Sequence, residues 1–438
     1  MRAQAEQMGR HEMKNQDFDG GDSLGRILGR DGFSPDLPTA LVPRDNGRGV
    51  SLGLKLLMYM VSGIRFGSLD VTLPDGSVRR FAGSQPGPHG VWHIKSERLI
   101  RHILASGEVG VGDSYMDDCW DSPDLAQLLL VMHINEPYYK GPFEANWLGR
   151  VYGWWKHKRR ANTKRTARKN IEHHYDLGNE FYKIWLDETM AYSSGMFIQP
   201  NETLMDAQLN KFRLMYERLG LKAEHRLLEI GSGWGGFAIY AAQRSGCRVH
   251  SITLSREQLV EARIRAEAAG VSDRVTFELR DYRDVTEQYD RVVSIEMYEA
   301  VGEEYWPGYF ATIAHALKPG GRAAIQGITL NPKLFEHYRS KRDFVQKYIF
   351  PGGMLCPPDR FENLARAAGL TPADASFHAL DYADTLAQWH RNVIGVREAI
   401  VRQFDERFLR MWRYYLAYCE CGFRAGSVDL MQITLNKA

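Results

Sequence analysis

The sequence predicts an α/β protein: an open parallel sheet with helices on both faces, preceded by a smaller α/β unit. Three observations carry this. From about residue 225 onward, apolar strand-like runs alternate with helical runs. A glycine-rich turn, GSGWGG (231–236), joins the first of those strands to its helix. Between about 50 and 150 a separate, shorter pattern of helix, hairpin and further helices appears.

Along the chain, the polar stretch 1–45 reads as disordered or extended. LGLKLLMYMVSGI (52–64) reads as a helix. It is too short to cross a bilayer and carries Lys55, so it is either a core helix or a lipid-facing one. SLDVTL, the turn Pro74-Asp75-Gly76 and SVRRF form a hairpin. Helical pattern resumes at SERLIRHILAS, and Ser122-Pro123-Asp124 caps the helix that runs to Met132. The first unit thus covers 46–150, and a basic linker, 151–172, follows. In the main unit, 173–438, RLLEI, RVHSITL, RVTFELR, DRVVSIE and RAAIQGITL are strands. A helical region at about 383–421 and a last strand, SVDLMQITL, close the chain.

Composition is globular, 44% hydrophobic and 25% charged, with a net charge of only +2, which does not imply wholesale nucleic-acid binding. The five cysteines match no zinc spacing and read as free thiols of a reducing cytosol. The run WKHKRRANTKRTARKN (155–170) holds eight Lys or Arg and no acid. It is a solvated linker or a surface for anionic lipid headgroups. Nucleic acid is a third reading, but no aromatic stacking pattern or recognisable motif accompanies the charge, so it is set aside.

LLEIGSGWGG (227–236) lets backbone N–H groups approach a ligand at the carboxyl end of a strand. Gly231, Gly233 and Gly236 also satisfy the dinucleotide fingerprint GxGxxG. Two features favour another ligand. Glu229 ends the strand, where a diphosphate gains nothing from negative charge, and the second strand ends ITLS, without a ribose-binding acid. An acid beside the glycines suits a cationic ligand without phosphates, as S-adenosylmethionine is.

These residues, with HHYDLGNEFY (173–182), MAYSSGMF (190–197), ITLSREQ (252–258), VVSIEMYEAVG (292–302), KYIFPGGMLC (347–356) and DYADTLAQW (381–389), carry a resemblance. The chain resembles the cyclopropane-fatty-acyl-phospholipid synthases and the related mycolic acid cyclopropane synthases, over about 170–438. The resemblance implies a class I methyltransferase fold with a seven-stranded, mostly parallel sheet, and an N-terminal lipid-binding domain. It implies methyl transfer from S-adenosylmethionine to the cis double bond of an unsaturated phospholipid acyl chain. The product is a cyclopropane, or alternatively a methyl- or methylene-branched or furan-precursor chain. Donor contacts carried over are Tyr192, Ser193, Gly231, Gly233, Thr253, Gln258, Tyr282 and Ile295, joined by Glu229. For Tyr282 the competing reading is a plain loop tyrosine, and for Thr253 and Gln258 it is strand-end and helix-cap chemistry.

The resemblance also implies a bound bicarbonate as base, held by Glu299, Gln326 and Tyr382 and by the backbone around Ser194 and Ile328. Glu299 accepts from the bicarbonate hydroxyl and Tyr382 donates; the competing reading of Glu299 is an acid capping the next turn. Ser194 and Gln326 stand where the family commonly has cysteine and often has histidine. Glutamine can donate and accept but cannot take up a proton. Glu296 matches no acid of the family pattern and reads as support for the site or a contact to the donor's ammonium. No metal is expected. Partners implied are unsaturated acyl chains and an anionic membrane surface, met peripherally from the cytoplasmic side, with a homodimer as one assembly state.

Overall fold

The computed structural model describes residues 50–140 and 177–438. The stretch 1–45, the linker 151–172 with its basic run, and the start of HHYDLGNEFY lie outside the described residues. The chain divides into two compact units, one built from 50–140 with 393–427, the other from 177–392 with 428–438.

The first unit opens on the helix Leu52–Val61, capped by Ser51 Oγ accepting from Leu54 N. Leu54, Leu57 and Val61 face inward, while Leu52, Leu56 and Tyr59 are exposed. Strands β1 (Phe66–Thr72) and β2 (Val78–Ala82) form the expected antiparallel hairpin, its turn held by Asp75 Oδ1 accepting from Ser77 N. Two strands that the sequence pattern did not announce, β3 (Gln85–Ile94) and β4 (Trp120–Asp121), complete a sheet of order β2-β1-β3-β4 among the described residues. Asp124 caps the helix Leu125–Asn135 as expected, accepting from Gln127 N.

The boundary expected at 173–438 shifts here. The helical region of the tail is three helices, Ala379–Gly395, Arg397–Gln403 and Glu406–Arg424, and residues 393–427 belong to the first unit. The physical reason is Arg410. Its buried guanidinium lies over the Tyr115 ring at 4.0 Å, donates to Trp120 O at 2.6 Å and pairs with Asp121 at 3.0 Å. A guanidinium buried this way is tolerable only where its donors are met.

The second unit holds a sheet of seven strands among the described residues, ordered β10-β11-β9-β8-β5-β6-β7. These are β5 (Arg226–Ile230), β6 (Arg248–Thr253), β7 (Val275–Leu279), β8 (Tyr289–Ile295), β9 (Leu317–Leu330), β10 (Leu370–Phe377) and β11 (Val428–Lys437). β5 to β9 pair in parallel; β11 lies antiparallel between β9 and β10. Leu227, Leu228, Val292 and Val293 are fully buried, as strands covered on both faces require. The chain runs outward through β5, β6 and β7, then returns to place β8 on the other side of β5. That reversal is the position where open α/β sheets leave a ligand crevice, at the carboxyl ends of the strands. The glycine turn after β5 and the two glutamates after β8 both stand there.

Candidate active site

The glycine turn is built for close approach. Gly231, Gly233 and Gly235 have φ of +93°, +48° and +84°, a region where L side chains are strained. A methyl group on Gly235 would come within 2.8 Å of the Phe277 ring, whereas one on Gly233 would meet open space. Gly233 is therefore the glycine positioned to admit a ligand against the backbone. Glu229 is buried beside this turn, with Ser251 Oγ donating to its Oε2 at 2.5 Å. Burial pushes its carboxyl up to about 8, against the opposing Ser251 hydrogen bond. A cation reaching this position favours loss of that proton. The residues thus fit a cationic, phosphate-free ligand.

Thr253 and Gln258 meet at the carboxyl end of β6. Thr253 Oγ1 donates to Gln258 Oε1 at 2.9 Å and accepts from Ser255 N, while Ser255 Oγ caps the helix Arg256–Ala268 through Gln258 N. The strand-end and helix-cap chemistry is therefore present at both residues. Tyr282 starts a short 3-10 turn and packs edge-on against Tyr309 at 5.6 Å; burial pushes its hydroxyl up to about 12. Ile295 is the last residue of β8 and pairs with Gln326.

Tyr192 and Ser193 lie on the loop before the helix Leu204–Leu219. The Tyr192 ring packs against Tyr182, Trp185 and Trp389 at centroid distances of 5.5, 5.6 and 5.3 Å. Trp389 in turn meets the Tyr382 ring edge-on at 6.2 Å. Ser193 is tied to the helix: its carbonyl accepts from Gln208 Nε2 at 2.7 Å and its hydroxyl from Lys211 Nζ at 2.6 Å. Ser194 Oγ donates to Gly195 O, so the serine hydroxyl turns away from the glutamates.

The structure brings Glu299, Gln326, Tyr382, Ser194 and Ile328 into one cluster but divides it between two carboxylates. Ser194 N and Gln326 Nε2 each donate to Glu296 Oε1 at 2.8 Å, and Tyr382 OH donates to Glu296 Oε2 at 2.6 Å. Ile328 N alone goes to Glu299 Oε1, at 2.6 Å. Glu299 Oε2 is buried with no hydrogen-bond partner among the described residues. Three of the groups assigned to the bicarbonate meet a carboxylate of the chain, so as they stand they do not fit an added anion. Tyr298, between the acids, is a core residue whose hydroxyl accepts from Cys356 N at 3.1 Å.

Both glutamates are enclosed by protein yet keep some accessible surface. Their environments separate their roles. Burial raises both carboxyls, but Glu296 has three donors and the charge of Lys211 opposing that rise. Glu299 has one donor and the Glu296 charge adding to it, which pushes it up to about 8. Glu299 is therefore the carboxyl of the pair that holds its proton the more tightly, while the donors and Lys211 favour the ionised form of Glu296.

Lys211 is a buried charged residue beside this cluster that the sequence reading did not name. It is fully buried, and burial pushes its ammonium down to about 8, opposed by the charges of Glu296 and Asp187. The signal was present: Lys211 sits on the same helix stripe as Leu204, Gln208, Met215 and Leu219, all buried. A lysine on such a stripe needs an acid to face.

Comparison with known proteins identifies the family. Residues 162–433 match the family model described as mycolic acid cyclopropane synthetase. The tuberculostearic acid methyltransferase UfaA1 of Mycobacterium tuberculosis is 40% identical over 78% of this chain and 82% of its own length. The cyclopropane-fatty-acyl-phospholipid synthase of Escherichia coli K12 is 31% identical over 84% of this chain and 96% of its own. Among solved structures, the mycolic acid cyclopropane synthase CmaA1, complexed with SAH and CTAB, aligns with a TM-score of 0.59 at 28% identity, covering 62% of this chain and 98% of that one. The fold is that of class I S-adenosylmethionine-dependent methyltransferases, and the chain belongs to the mycolic acid cyclopropane synthetase family.

Proposed function

We propose that this chain transfers a methyl group from S-adenosylmethionine to the cis double bond of an unsaturated phospholipid acyl chain. The observation that carries the reading is the pair of enclosed glutamates after β8, facing the same strand ends as the glycine turn. Bound there, S-adenosylmethionine supplies an electrophilic methyl on a positively charged sulfur. Gly231 and Gly233 admit it to the backbone; Glu229 answers its positive charge. Thr253, Gln258, Tyr282, Ile295, Tyr192 and Ser193 complete its surroundings. The Tyr192 ring, only partly buried and backed by Trp185 and Trp389, stabilises positive charge without reacting with it, for about 0.5–2 kcal/mol.

Two products were expected, a cyclopropane ring and a methyl- or methylene-branched chain. The similarity to a tuberculostearic acid methyltransferase supports the branched product. Without a reductant the branched product is a methylene. Bicarbonate is set aside because its expected donors meet Glu296. Access to the lipid is peripheral: among the described residues no helix is long and apolar enough to cross a membrane, and Leu52, Leu56 and Tyr59 offer an exposed apolar face.

The experiment is incubation of the purified chain with carbon-labelled donor and vesicles of a cis-monounsaturated phosphatidylglycerol, followed by proton NMR of the released acyl chains. Vinylidene signals on the labelled carbon are expected. High-field ring-methylene signals would move the product to cyclopropane. Absence of label in every acyl chain, with donor still bound, would remove the reading.

A further inference from the structure

Three hydrogen-bond donors from three separate parts of the unit converge on Glu296: the backbone of Ser194, the amide of Gln326 on β9 and the hydroxyl of Tyr382. The amide's orientation is set from outside the site. Arg218 Nε donates to Gln432 Oε1 at 3.2 Å, and a guanidinium can only donate. Gln432 therefore turns its Nε2 toward Gln326 Oε1, at 2.8 Å, which leaves Gln326 Nε2 for the carboxylate. A chain of directed bonds thus runs from a cation, through two glutamines, to Glu296. Glutamine at 326 is then the expected residue, since the position has to donate to a carboxylate without titrating.

The backbone adds a second, independent observation. Glu296 has φ +50°, a region that costs a non-glycine residue about 1–3 kcal/mol. Glycine would hold the same turn without that cost. The carboxylate is kept at this position despite a strained backbone, and three donors offset the strain.

We propose that Glu296 is the catalytic base, a carboxylate of the chain standing where a dissolved anion was expected, so that turnover needs no bicarbonate. This rests on the methyl transfer proposed above. In that reaction the alkene π pair forms the new bond to the methyl carbon as the methyl–sulfur bond breaks, its electrons staying on sulfur. The neighbouring chain carbon is left positive. The hydride on the alkylated carbon moves to it, and the donated methyl then loses a proton to Glu296. The freed C–H pair becomes the double bond of a methylene; without the hydride shift it closes a three-membered ring. Glu296 gains one proton and returns it to solvent. The charged and titratable groups facing Glu296 are Lys211, Tyr382 and Glu299, with Asp187 acting on Lys211.

The test uses the full chain as wild type, Glu296→Gln and Glu296→Gly, with labelled donor and cis-unsaturated phosphatidylglycerol vesicles. Each is assayed in carbon-dioxide-free buffer and with added bicarbonate, and donor affinity is measured by calorimetry. Wild-type turnover is expected to stay within about twofold on bicarbonate removal. Glu296→Gln should lose about 10²–10⁴-fold in kcat, the range for removing a general base, with donor Kd little changed and no rescue by bicarbonate, because the amide still fills the cage. Glu296→Gly relieves the backbone and empties the cage, so bicarbonate should restore its turnover by tenfold or more. Wild-type turnover that collapses without bicarbonate, a nearly full-rate Glu296→Gln, or a folded Glu296→Gly that bicarbonate leaves inactive would each overturn the proposal. A wild type that binds donor but labels no acyl chain overturns the function reading instead, and this inference with it.

Discussion

Glu299→Gln is expected to lose about 10²-fold or more in kcat while donor affinity changes by less than threefold, and to be more stable than the wild type at pH 8. Glutamine keeps the acceptor for Ile328 N and places a neutral group where Glu299 Oε2 lies unpartnered. It cannot relay to solvent the proton that Glu296 gains, which is the source of the turnover loss. The stability gain follows from the carboxyl's value of about 8 in the folded chain against 4.5 in the unfolded one. A group raised in this way binds its proton more tightly when folded. Its contribution is full below about pH 4.5 and is lost as pH rises through 8. The shift corresponds to at most about 4 kcal/mol at pH 8, less by whatever water reaches the accessible side of the residue. Urea denaturation of both proteins between pH 5 and pH 8 reads this directly. The wild type should lose stability relative to Glu299→Gln across that window. Parallel pH profiles would show that Glu299 carries no such shift.

Lys211→Met is expected to destabilise the unit by about 1–3 kcal/mol for each buried acceptor that it leaves without a donor. The substitution keeps the length of the side chain and its contact with the Phe212 ring, but leaves Gln208 Oε1 and Ser193 Oγ without their donor. It also removes the positive charge that holds the Glu296 carboxyl down. The acid limb of the rate profile should therefore move to higher pH in whatever fraction remains folded. The denaturation midpoint checks the first effect and the profile the second. An unchanged midpoint together with an unmoved acid limb would show that Lys211 and Glu296 do not act on each other.

Much of the fold was legible because its signals are local. The strands β5 to β9 announce themselves as apolar runs between helical ones, and the Pro74-Asp75-Gly76 turn marks the hairpin. β3 and β10 were not legible. Their sequences, QPGPHGVWHI and LTPADASF, carry prolines, and Asp374 adopts φ +52° at a register shift of β10 against β11. Their pairing is decided by neighbours, which override propensity. The allegiance of residues 393–427 was hidden for a related reason: periodicity shows which face of Glu406–Arg424 is buried, but not against what.

At the site, the motifs named five residues that the structure brings into one cluster, yet assigned them to an external anion. The sequence places Glu296 and Glu299 three apart, but only the left-handed backbone at Glu296 turns its carboxylate toward Ser194, Gln326 and Tyr382. Such a backbone state is not encoded by residue type, since glutamate rarely adopts it. The donor side was more transparent because positive φ at Gly231, Gly233 and Gly235 is what glycine supplies.

The most direct measurement of the central claim uses a donor whose transferable methyl carries three deuterium atoms. If that methyl alkylates an acyl double bond and the chain's carboxylate then strips it, mass spectrometry of the lipid will show one added carbon bearing two of the three deuteriums. An acyl chain that keeps all three, or that gains no deuterium while the donor remains bound, would contradict the account.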